Sequence, residues 1–272
     1  MLLHLILALR IVTLVPSFAE DVVAIGARAE LVGVSKFSDD IPGPALPVVA
    51  DFSSVDAERI IALHPDVVAG IPSQARMVAP LQRAGIRVVL VADDSFDDIF
   101  TNLQTLGQVT GHPAQARAEI AHLKSETARL SATVVRHPSP PSVFFALGTG
   151  PIWTVGPSSF IGRLIVLAGG RNAAVDLRTP WGEYSDEALL KAQPDAIVAD
   201  RDANLAAVQD REPWRSLQAV REGHVFVVTD PRVDAALMRP GPNYNEGLRW
   251  LIERLSSLST PKTPTDHSNP NS

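Results

Sequence analysis

The feature that most constrains this chain of 272 residues is an internal repeat. Residues 54–69 combine a helical pattern, a Pro-Asp turn and a short apolar run, and the same succession returns at residues 183–199. One offset of 129 residues separates three matched pairs: Glu58 and Glu187, Pro65 and Pro194, and Asp66 and Asp195. Two copies of such a unit are too few to stack as a solenoid. The repeat therefore predicts two similar lobes within one chain.

Short apolar runs rich in β-branched residues alternate with helical patterns along the whole chain. The predicted strands occupy residues 11–15, 31–34, 67–69, 88–91, 143–146, 196–199 and 225–228. The predicted helices occupy residues 18–27, 56–63, 77–84, 97–110, 160–168, 186–192 and 245–258. Strands that are apolar on both faces need helices on both sides of their sheet. The pattern predicts an α/β fold with two doubly wound, mainly parallel-sheet lobes.

A long amphipathic segment lies between the two copies of the repeat. It begins with Pro113 at a favourable first helical position, and its apolar spacing continues to Val134. Such a helix would span about 33 Å. It could be an ordinary core helix of one domain, but its position favours a stiff bridge between two lobes with a ligand cleft between them. The predicted division is an N-terminal lobe at 10–112, a bridging helix at 113–136, a C-terminal lobe at 137–258 and a disordered tail at 259–272.

Composition excludes several classes of function. The chain has 24 Lys and Arg against 30 Asp and Glu, a net charge of −6, so no basic surface for nucleic acid is expected. Cysteine is absent, which excludes thiol catalysis, disulfides and a lipid anchor on cysteine. The seven histidines are scattered and show no metal-ligand spacing. We therefore expect neither a nucleic-acid partner nor a bound metal.

Catalytic motifs are also incomplete. The turn Gly148-Thr149-Gly150 lacks the third glycine of a dinucleotide loop, and no P-loop lysine follows it. The carboxylate pairs Asp39-Asp40, Asp93-Asp94 and Asp97-Asp98 lie in polar stretches and are interpreted as solvated loops or helix caps. An α/β enzyme is the alternative from a different class, but no nucleophile, base and orienting group stand in a plausible relation. The chain is predicted not to be an enzyme.

Four of the few aromatic residues lie in segments that follow or link the predicted strands. They are Phe37, Phe52, Trp153 and Trp181. Doubly wound sheets bind their ligands in the crevice at these segments, and loop aromatics there suit a large, flat or apolar ligand. Each ring taken alone could equally fill a gap in the core of its own lobe. Trp181 is the least core-like, because Pro180 and Gly182 flank it in a turn-rich run.

Several segments of the sequence resemble one known family. They are residues 10–17 (RIVTLVPS), 31–39 (LVGVSKFSD) and 56–66 (DAERIIALHPD), together with Thr179-Pro180-Trp181 and Ser185-Asp186-Glu187. These motifs are similar to those of the periplasmic cobalamin-binding proteins of ABC importers, and of the wider family that binds cobalamin, haem and iron-siderophores. The resemblance extends from about residue 10 to residue 258. It implies two α/β lobes joined by one long helix, a ligand held between the lobes, no chemical step and no resident cofactor.

The resemblance also implies roles for individual residues. It places Phe37, Phe52, Trp153 and Trp181 in the cleft, where stacking and burial would hold a corrin ring, and we add Ser17 and Arg239 as polar ligand-binding residues. Arg239 lies in a turn expected at the cleft mouth, where it would suit propionate, amide or siderophore groups. Glu58 and Glu187 match the acids that this family presents to an ABC permease. The alternative is that both are first-turn acids favoured by the helix dipole, and their spacing does not separate the two readings.

The ligand itself stays open at this point. Gly70 stands where a cobalamin binder can carry a further cleft tryptophan, so haem or a ferric siderophore is the alternative ligand. The scarcity of tyrosines, with only Tyr184 and Tyr244 present, makes axial ligation of haem less attractive. We expect a periplasmic monomer whose stiff helix permits only small lobe closure. The apolar residues 1–9 lack a basic start, and a truncated export signal or a mis-set start is favoured over a simple lead into the first strand.

Overall fold

The computed structural model describes residues 9–136 and 138–258. The apolar start, except Leu9, and the predicted tail at 259–272 lie outside the described residues. The first half contains β1 (Ile11–Thr13), α1 (Pro16–Ala24), β2 (Leu31–Ser35), β3 (Val48–Ala50), α2 (Ala57–Ala62), β4 (Val67–Gly70), α3 (Ala79–Arg83), β5 (Arg87–Leu90), α4 (Asp98–Val109) and α5 (Pro113–Ser131).

The second half is built from shorter strands and more irregular connections. It contains β6 (Ser142–Ala146), β7 (Gly148–Thr149), β8 (Ile152–Val155), α6 (Phe160–Leu167), β9 (Arg171–Asn172), β10 (Trp181–Glu183), α7 (Asp186–Ala192), β11 (Ala196–Ala199), α8 (Gln218–Arg221), β12 (Val225–Val227), α9 (Pro231–Met238) and α10 (Tyr244–Ser257). None of the helices within the described ranges has the length and hydropathy that a bilayer-spanning segment requires.

A five-stranded parallel sheet forms the first lobe, in the order β3-β2-β1-β4-β5. Its central strand β1 pairs with β2 on one side and with β4 on the other. Ile11 and Val12 of that strand are fully buried, because helices cover both faces of the sheet. The strand order reverses between β1 and β4, and open α/β sheets bind ligands beyond the carboxyl ends of the strands at such a point.

The second lobe contains a four-stranded parallel sheet in the order β12-β11-β6-β9. A separate three-stranded antiparallel sheet, β10-β8-β7, lies beside it and pairs Trp181 with Val155. The predicted fold class is confirmed: both lobes are α/β with parallel-sheet cores. The small antiparallel sheet was not predicted, and it corrects the expectation that Trp181 lies in a turn.

The long helix α5 is continuous over 19 residues, or about 28 Å, and begins with Pro113 at its first position. It ends at Ser131, three residues before the predicted end at Val134, where the Thr133 hydroxyl instead donates to the Leu130 carbonyl at 2.7 Å. Its buried residues include Ala116 and Leu123. The helix packs against α4 on one side and α10 on the other, so it contacts elements of both halves of the chain.

The largest hydrophobic core continues from one half of the chain into the other. It joins buried residues of β1 and β4 with residues of β6 and β11, and includes α1, α4, α5, α6 and α10. Two smaller cores lie within the individual lobes, one under β6 and α7 and the other under β1 and α2. The two halves of the chain are therefore in direct apolar contact, and α5 contacts helices of both.

Candidate functional site

The first of two adjoining cavities lies beyond the carboxyl ends of strands in the first lobe. Its volume is about 460 Å³. It is lined by Val15, Pro16 and Ser17 after β1, by Ile71, Pro72 and Ser73 after β4, and by Asp93 and Asp94 after β5, with Phe52 nearby. From the second half of the chain come Trp181, Met238, Arg239 and Pro240. We call it the floor cavity, and both halves of the chain form it.

The second cavity, which we call the front cavity, has a volume of about 470 Å³. It is lined by Phe37, Asp39, Asp40 and Phe52 from the first lobe, and by Asp200, Arg201, Asp202, Pro231, Arg232, Asp234 and Ala235 from the second. Both cavities share Pro16, Phe52, Met238 and Arg239. Each volume falls in the usual range of small-molecule sites, and together they form one cleft between the lobes.

Phe37 and Phe52 form an exposed aromatic pair at the front of the cleft. Their ring centroids are 6.1 Å apart, and the side chains are 48% and 68% exposed. Phe37 adopts a left-handed backbone conformation with φ of 67°, and the Lys36 ammonium lies 5.0 Å from the centroid of its ring. The two rings together form an exposed apolar patch in the lining of the front cavity.

The two tryptophans of the predicted site lie on the small antiparallel sheet. Trp181 is partly buried in β10 and lines the floor cavity. Trp153 lies in β8, pairs with Glu183 and is 41% exposed, but it lines neither cavity. The structure thus brings five of the six predicted ligand-binding residues to the cleft and leaves Trp153 outside its lining.

A partly buried hydrogen-bonded pair forms part of the floor cavity. The Ser17 hydroxyl donates to Asp93 Oδ2 at 2.7 Å, and the Asn102 side-chain amide donates to Asp93 Oδ1 at 3.3 Å. Burial raises the pKa of the Asp93 carboxyl to about 8, against the lowering effect of the Ser17 hydrogen bond. Asp93 is therefore mainly protonated at neutral pH, which corrects the interpretation of Asp93-Asp94 as a merely solvated pair.

Arg239 spans the two lobes and does not present a free guanidinium to the cleft. Its Nη1 lies 2.5 Å from Glu20 Oε1 on α1 and 2.8 Å from Asp40 Oδ2. We call Glu20, Asp40 and Arg239 the interlobe ion triad. The Asn243 amide donates to the other oxygen of Glu20 at 3.1 Å. A ligand anion would therefore have to compete with Glu20 and Asp40 for the guanidinium that was predicted to bind it.

Further carboxyl groups near the cleft also have altered titration. Burial raises the pKa of Glu20 despite its bond to Arg239. Asp21 is fully buried on the same helix with no hydrogen-bond partner on either oxygen, and burial raises its pKa well above the usual value. In the front cavity, burial raises the pKa of Asp200 to about 6. Sequence reasoning missed these groups, because only the fold removes them from water.

The two tyrosines are committed to other contacts. The Tyr184 hydroxyl donates to Asp176 Oδ1 at 2.8 Å, and the Tyr244 hydroxyl lies 2.5 Å from the Thr127 hydroxyl. Both side chains are buried, and neither lines the cleft. Across the part of the chain that the structure describes, no three His, Cys, Asp or Glu side chains are grouped so that they could hold a metal ion.

Glu58 and Glu187 occupy equivalent places in the two lobes. Each lies in the first turn of a short helix whose N-terminus is capped by a side chain. The Asp56 carboxylate accepts from the backbone N–H of Arg59, and the Ser185 hydroxyl accepts from the backbone N–H of Ala188. Both glutamates are exposed. Neither forms an ion pair with any other residue that the structure describes. Both carboxylates are therefore free to meet a cationic partner.

Comparison with known proteins gives concordant matches. The family described as "periplasmic binding protein" matches residues 11–231. A cobalamin-binding protein of Halobacterium salinarum is 33% identical over 265 residues, covering 92% of this chain and 70% of the relative. An uncharacterised ABC transporter substrate-binding lipoprotein of Bacillus subtilis is 31% identical over 256 residues, covering 90% and 79%. A periplasmic haem-binding protein of Roseiflexus, solved in its apo form, superposes with a TM-score of 0.80 at 25% identity, covering 93% and 100%.

Proposed function

The chain belongs to the periplasmic binding protein family, and we propose that it captures a corrinoid outside the cytoplasm and delivers it to the permease of an ABC importer. As a substrate-binding protein it is not an enzyme, in agreement with the prediction from its sequence. It needs no resident cofactor, because the bound molecule is cargo. The proposal concerns the identity of that cargo and the surface that meets the permease.

The observation that carries the proposal is the aromatic lining of the interlobe cleft. Phe37 and Phe52 stand exposed at the front, and Trp181 lines the floor cavity. A corrin ring offers extended apolar faces, so stacking and burial supply affinity without a covalent bond. The relative from Halobacterium salinarum, which is named as a cobalamin-binding protein, supports the same cargo.

Haem is the second candidate, since a haem-binding protein shares the fold. Proteins often hold haem iron through an axial His, Tyr, Cys or Met side chain. Neither tyrosine lines the cleft, and the lining residues of the two cavities contain no histidine. Met238 is the one residue of these types in either lining, and it reaches both cavities. The ligand set therefore favours a corrinoid, whose cobalt does not need a side-chain ligand from the protein.

The first test is a titration of the purified protein with cyanocobalamin, haemin and ferric chelates, in which binding is monitored by tryptophan fluorescence and by absorbance. We expect Trp181→Ala to weaken cobalamin binding by about 1 to 3 kcal/mol, or roughly 5- to 150-fold. Trp153→Ala is the matched control, since it removes the same ring from the same sheet outside the cavities. Equal affinities of the wild type and Trp181→Ala for cobalamin would show that Trp181 does not contribute to the binding site. Tight binding of haemin, with no binding of cobalamin, would show that haem and not a corrinoid is the cargo.

We also propose that Glu58 and Glu187 dock on the permease. The two carboxylates are exposed at equivalent helix starts in the two lobes and have no internal partner among the described residues. Glu58→Arg combined with Glu187→Arg should leave ligand affinity unchanged and abolish uptake by vesicles that contain the permease. Glu253→Arg, at an exposed acid on helix α10, is the control for reversal of a charge. Normal uptake with the double variant would disprove the docking role.

A further inference from the structure

Every arginine that lines the cleft already has a carboxylate partner. The interlobe ion triad holds Arg239 between two acids. Arg201 Nε lies 3.7 Å from Asp202 Oδ1, and Arg232 Nε lies 3.9 Å from Asp230 Oδ1. The last two pairs are exposed and therefore weak, so those arginines could turn toward a ligand. Whether an anion gains from that movement depends on the other charges around it.

Carboxyl groups outnumber cations in the lining of the cleft. The floor cavity contributes Asp93 and Asp94, and the front cavity contributes Asp39, Asp40, Asp200, Asp202 and Asp234, against three arginines in all. Even with Asp93 protonated and Lys36 added at the rim, six carboxylates face four cations. Glu20 of the interlobe ion triad adds a further negative charge behind Arg239.

This balance acts on a ligand because the cleft lies between walls of low dielectric, where charges are screened less than in bulk water. A ligand carboxylate would find each arginine already paired with a carboxylate, and more carboxylates than cations in the lining. A primary amide, in contrast, donates to those carboxylates and accepts from the protonated Asp93. A positively charged group on the ligand is also stabilised by the excess of carboxylates in the lining. The lining therefore treats an acid and its uncharged derivative differently, even when the two have the same shape.

We propose that the cleft selects its cargo by charge, accepting neutral or cationic molecules rich in amides and rejecting ligands that carry several carboxylates. This inference rests on the proposed function only in placing the cargo in the cleft. It assigns a specificity role to Asp202 and Asp234, because they add negative charge to the front cavity, and Asp202 also partners Arg201. It separates corrinoid amides from haem propionates by charge as well as by metal ligation.

The test uses two pairs of ligands that differ in charge but keep their ring system. The first pair is cyanocobalamin and the carboxylic acids obtained by hydrolysing its side-chain amides. The second is haemin and its dimethyl ester. We expect the member of each pair without free carboxylates to bind at least 10-fold more tightly at low salt, and the ratio to shrink as salt screens the cleft.

Variants of the chain provide the second readout. Asp202→Asn with Asp234→Asn should lower the affinity ratio between amide and acid at least 3-fold, because it removes two charges and releases Arg201. Both side chains are accessible to solvent, so the variant should fold, and circular dichroism checks this. Asp210→Asn is the control, since Asp210 is an exposed aspartate outside both linings and should leave the ratio unchanged.

The outcomes distinguish the inference from the proposed function. If the corrinoid acids bind as tightly as cyanocobalamin, charge selection is overturned while the corrinoid function stands. If no corrinoid binds but the haemin ester outcompetes haemin, the corrinoid function fails and charge selection stands. If no member of either pair binds, or if the acids bind more tightly in both pairs, charge selection is overturned.

Discussion

Asp93 gives the sharpest physical prediction about this protein. Its carboxyl group lies in the floor cavity, accepts hydrogen bonds from Ser17 and Asn102, and has a pKa raised from 3.8 to about 8, chiefly by burial. Asp93→Asn replaces the carboxyl with an amide of almost the same shape. The amide oxygen can still accept from Asn102, and the amide nitrogen can donate to the Ser17 hydroxyl. The substitution therefore removes a titration while preserving the contacts.

The sign of the effect follows from linkage. Because the folded-state pKa is higher than the unfolded value of 3.8, the folded state binds more protons between pH 4 and pH 8. The contribution of Asp93 to stability is thus fully present below pH 3.8 and is lost as the pH rises through about 8. Each pH unit in this window changes stability by about 1.4 kcal/mol. Relative to wild type, Asp93→Asn should gain about 4 kcal/mol by pH 7 and roughly 6 kcal/mol above pH 8.

The measurement is urea unfolding of the wild type and Asp93→Asn at one-unit steps from pH 5 to pH 9. The difference between the two proteins reports the titration of Asp93 together with its electrostatic effect on Asp21, whose pKa the Asp93 carboxylate raises. Asp210→Asn, an exposed site outside the cleft, controls for the loss of one negative charge. A difference that stays constant within about 1 kcal/mol from pH 5 to pH 8 would refute the raised pKa of the Asp93 carboxyl.

Two further substitutions test the interlobe ion triad and the packing of α4 against α5. Arg239→Met should lower the free energy of unfolding by about 3 kcal/mol or more, because it leaves the buried Glu20 without its cation. The control is Arg232→Met: the Arg232 side chain is 84% exposed, so its loss should change stability by less than about 0.5 kcal/mol. Gly107→Ala should cost about 1 to 3 kcal/mol in thermal or urea unfolding, because its new Cβ would lie 2.5 Å from the Ala116 Cβ where α4 meets α5. A neutral result for either Arg239→Met or Gly107→Ala would contradict the packing described for that contact.

The sequence predicts most strands of the parallel sheets because their signal is local, but it misses β3 and the two-residue strand β9 at the sheet edges. A strand buried on both faces is a short run of apolar β-branched residues, and all seven predicted strands are present, with ends that shift by no more than two residues. The antiparallel strand β10 lacks such a signal, whereas β8 (Ile152–Val155) is a run of β-branched and aromatic residues that was not recognised as a strand. In β10, Gly182 is the central residue and Pro180 precedes the strand. Only pairing with β8, nearly thirty residues earlier, makes that segment a strand.

One missed helix had a signal that could have been used. In α9, Asp230 accepts from the Arg232 amide as the N-cap, and Pro231 occupies the first helical position. An Asp-Pro pair followed by apolar residues three and four apart is a helix start that sequence reasoning can recognise. Its placement matters, because Met238 and Arg239 at its end line both cavities.

The candidate site divides in the same way between local and distant information. Aromatics in segments after strands were identifiable, because ligand crevices of doubly wound sheets lie there. The partners of Arg239 were not, because Glu20 and Asp40 are 219 and 199 residues away in sequence. The protonation of Asp93 was also hidden, since an aspartate pair in a polar stretch acquires its burial only from the α1 and α4 neighbours that the fold supplies.

The contacts between the lobes also bear on how a ligand reaches the cleft. Helix α5 joins the halves on one side, and the interlobe ion triad joins α1 to the turn after α9. At that turn, a Cβ on Gly241 would lie 2.9 Å from Glu20 Oε2, so the two chain segments are already in close contact. Spreading the lobes would separate Arg239 from a buried carboxylate, which is strongly unfavourable. We therefore expect cargo exchange through movement of exposed side chains such as Phe37 and Phe52, with little hinge motion of the lobes.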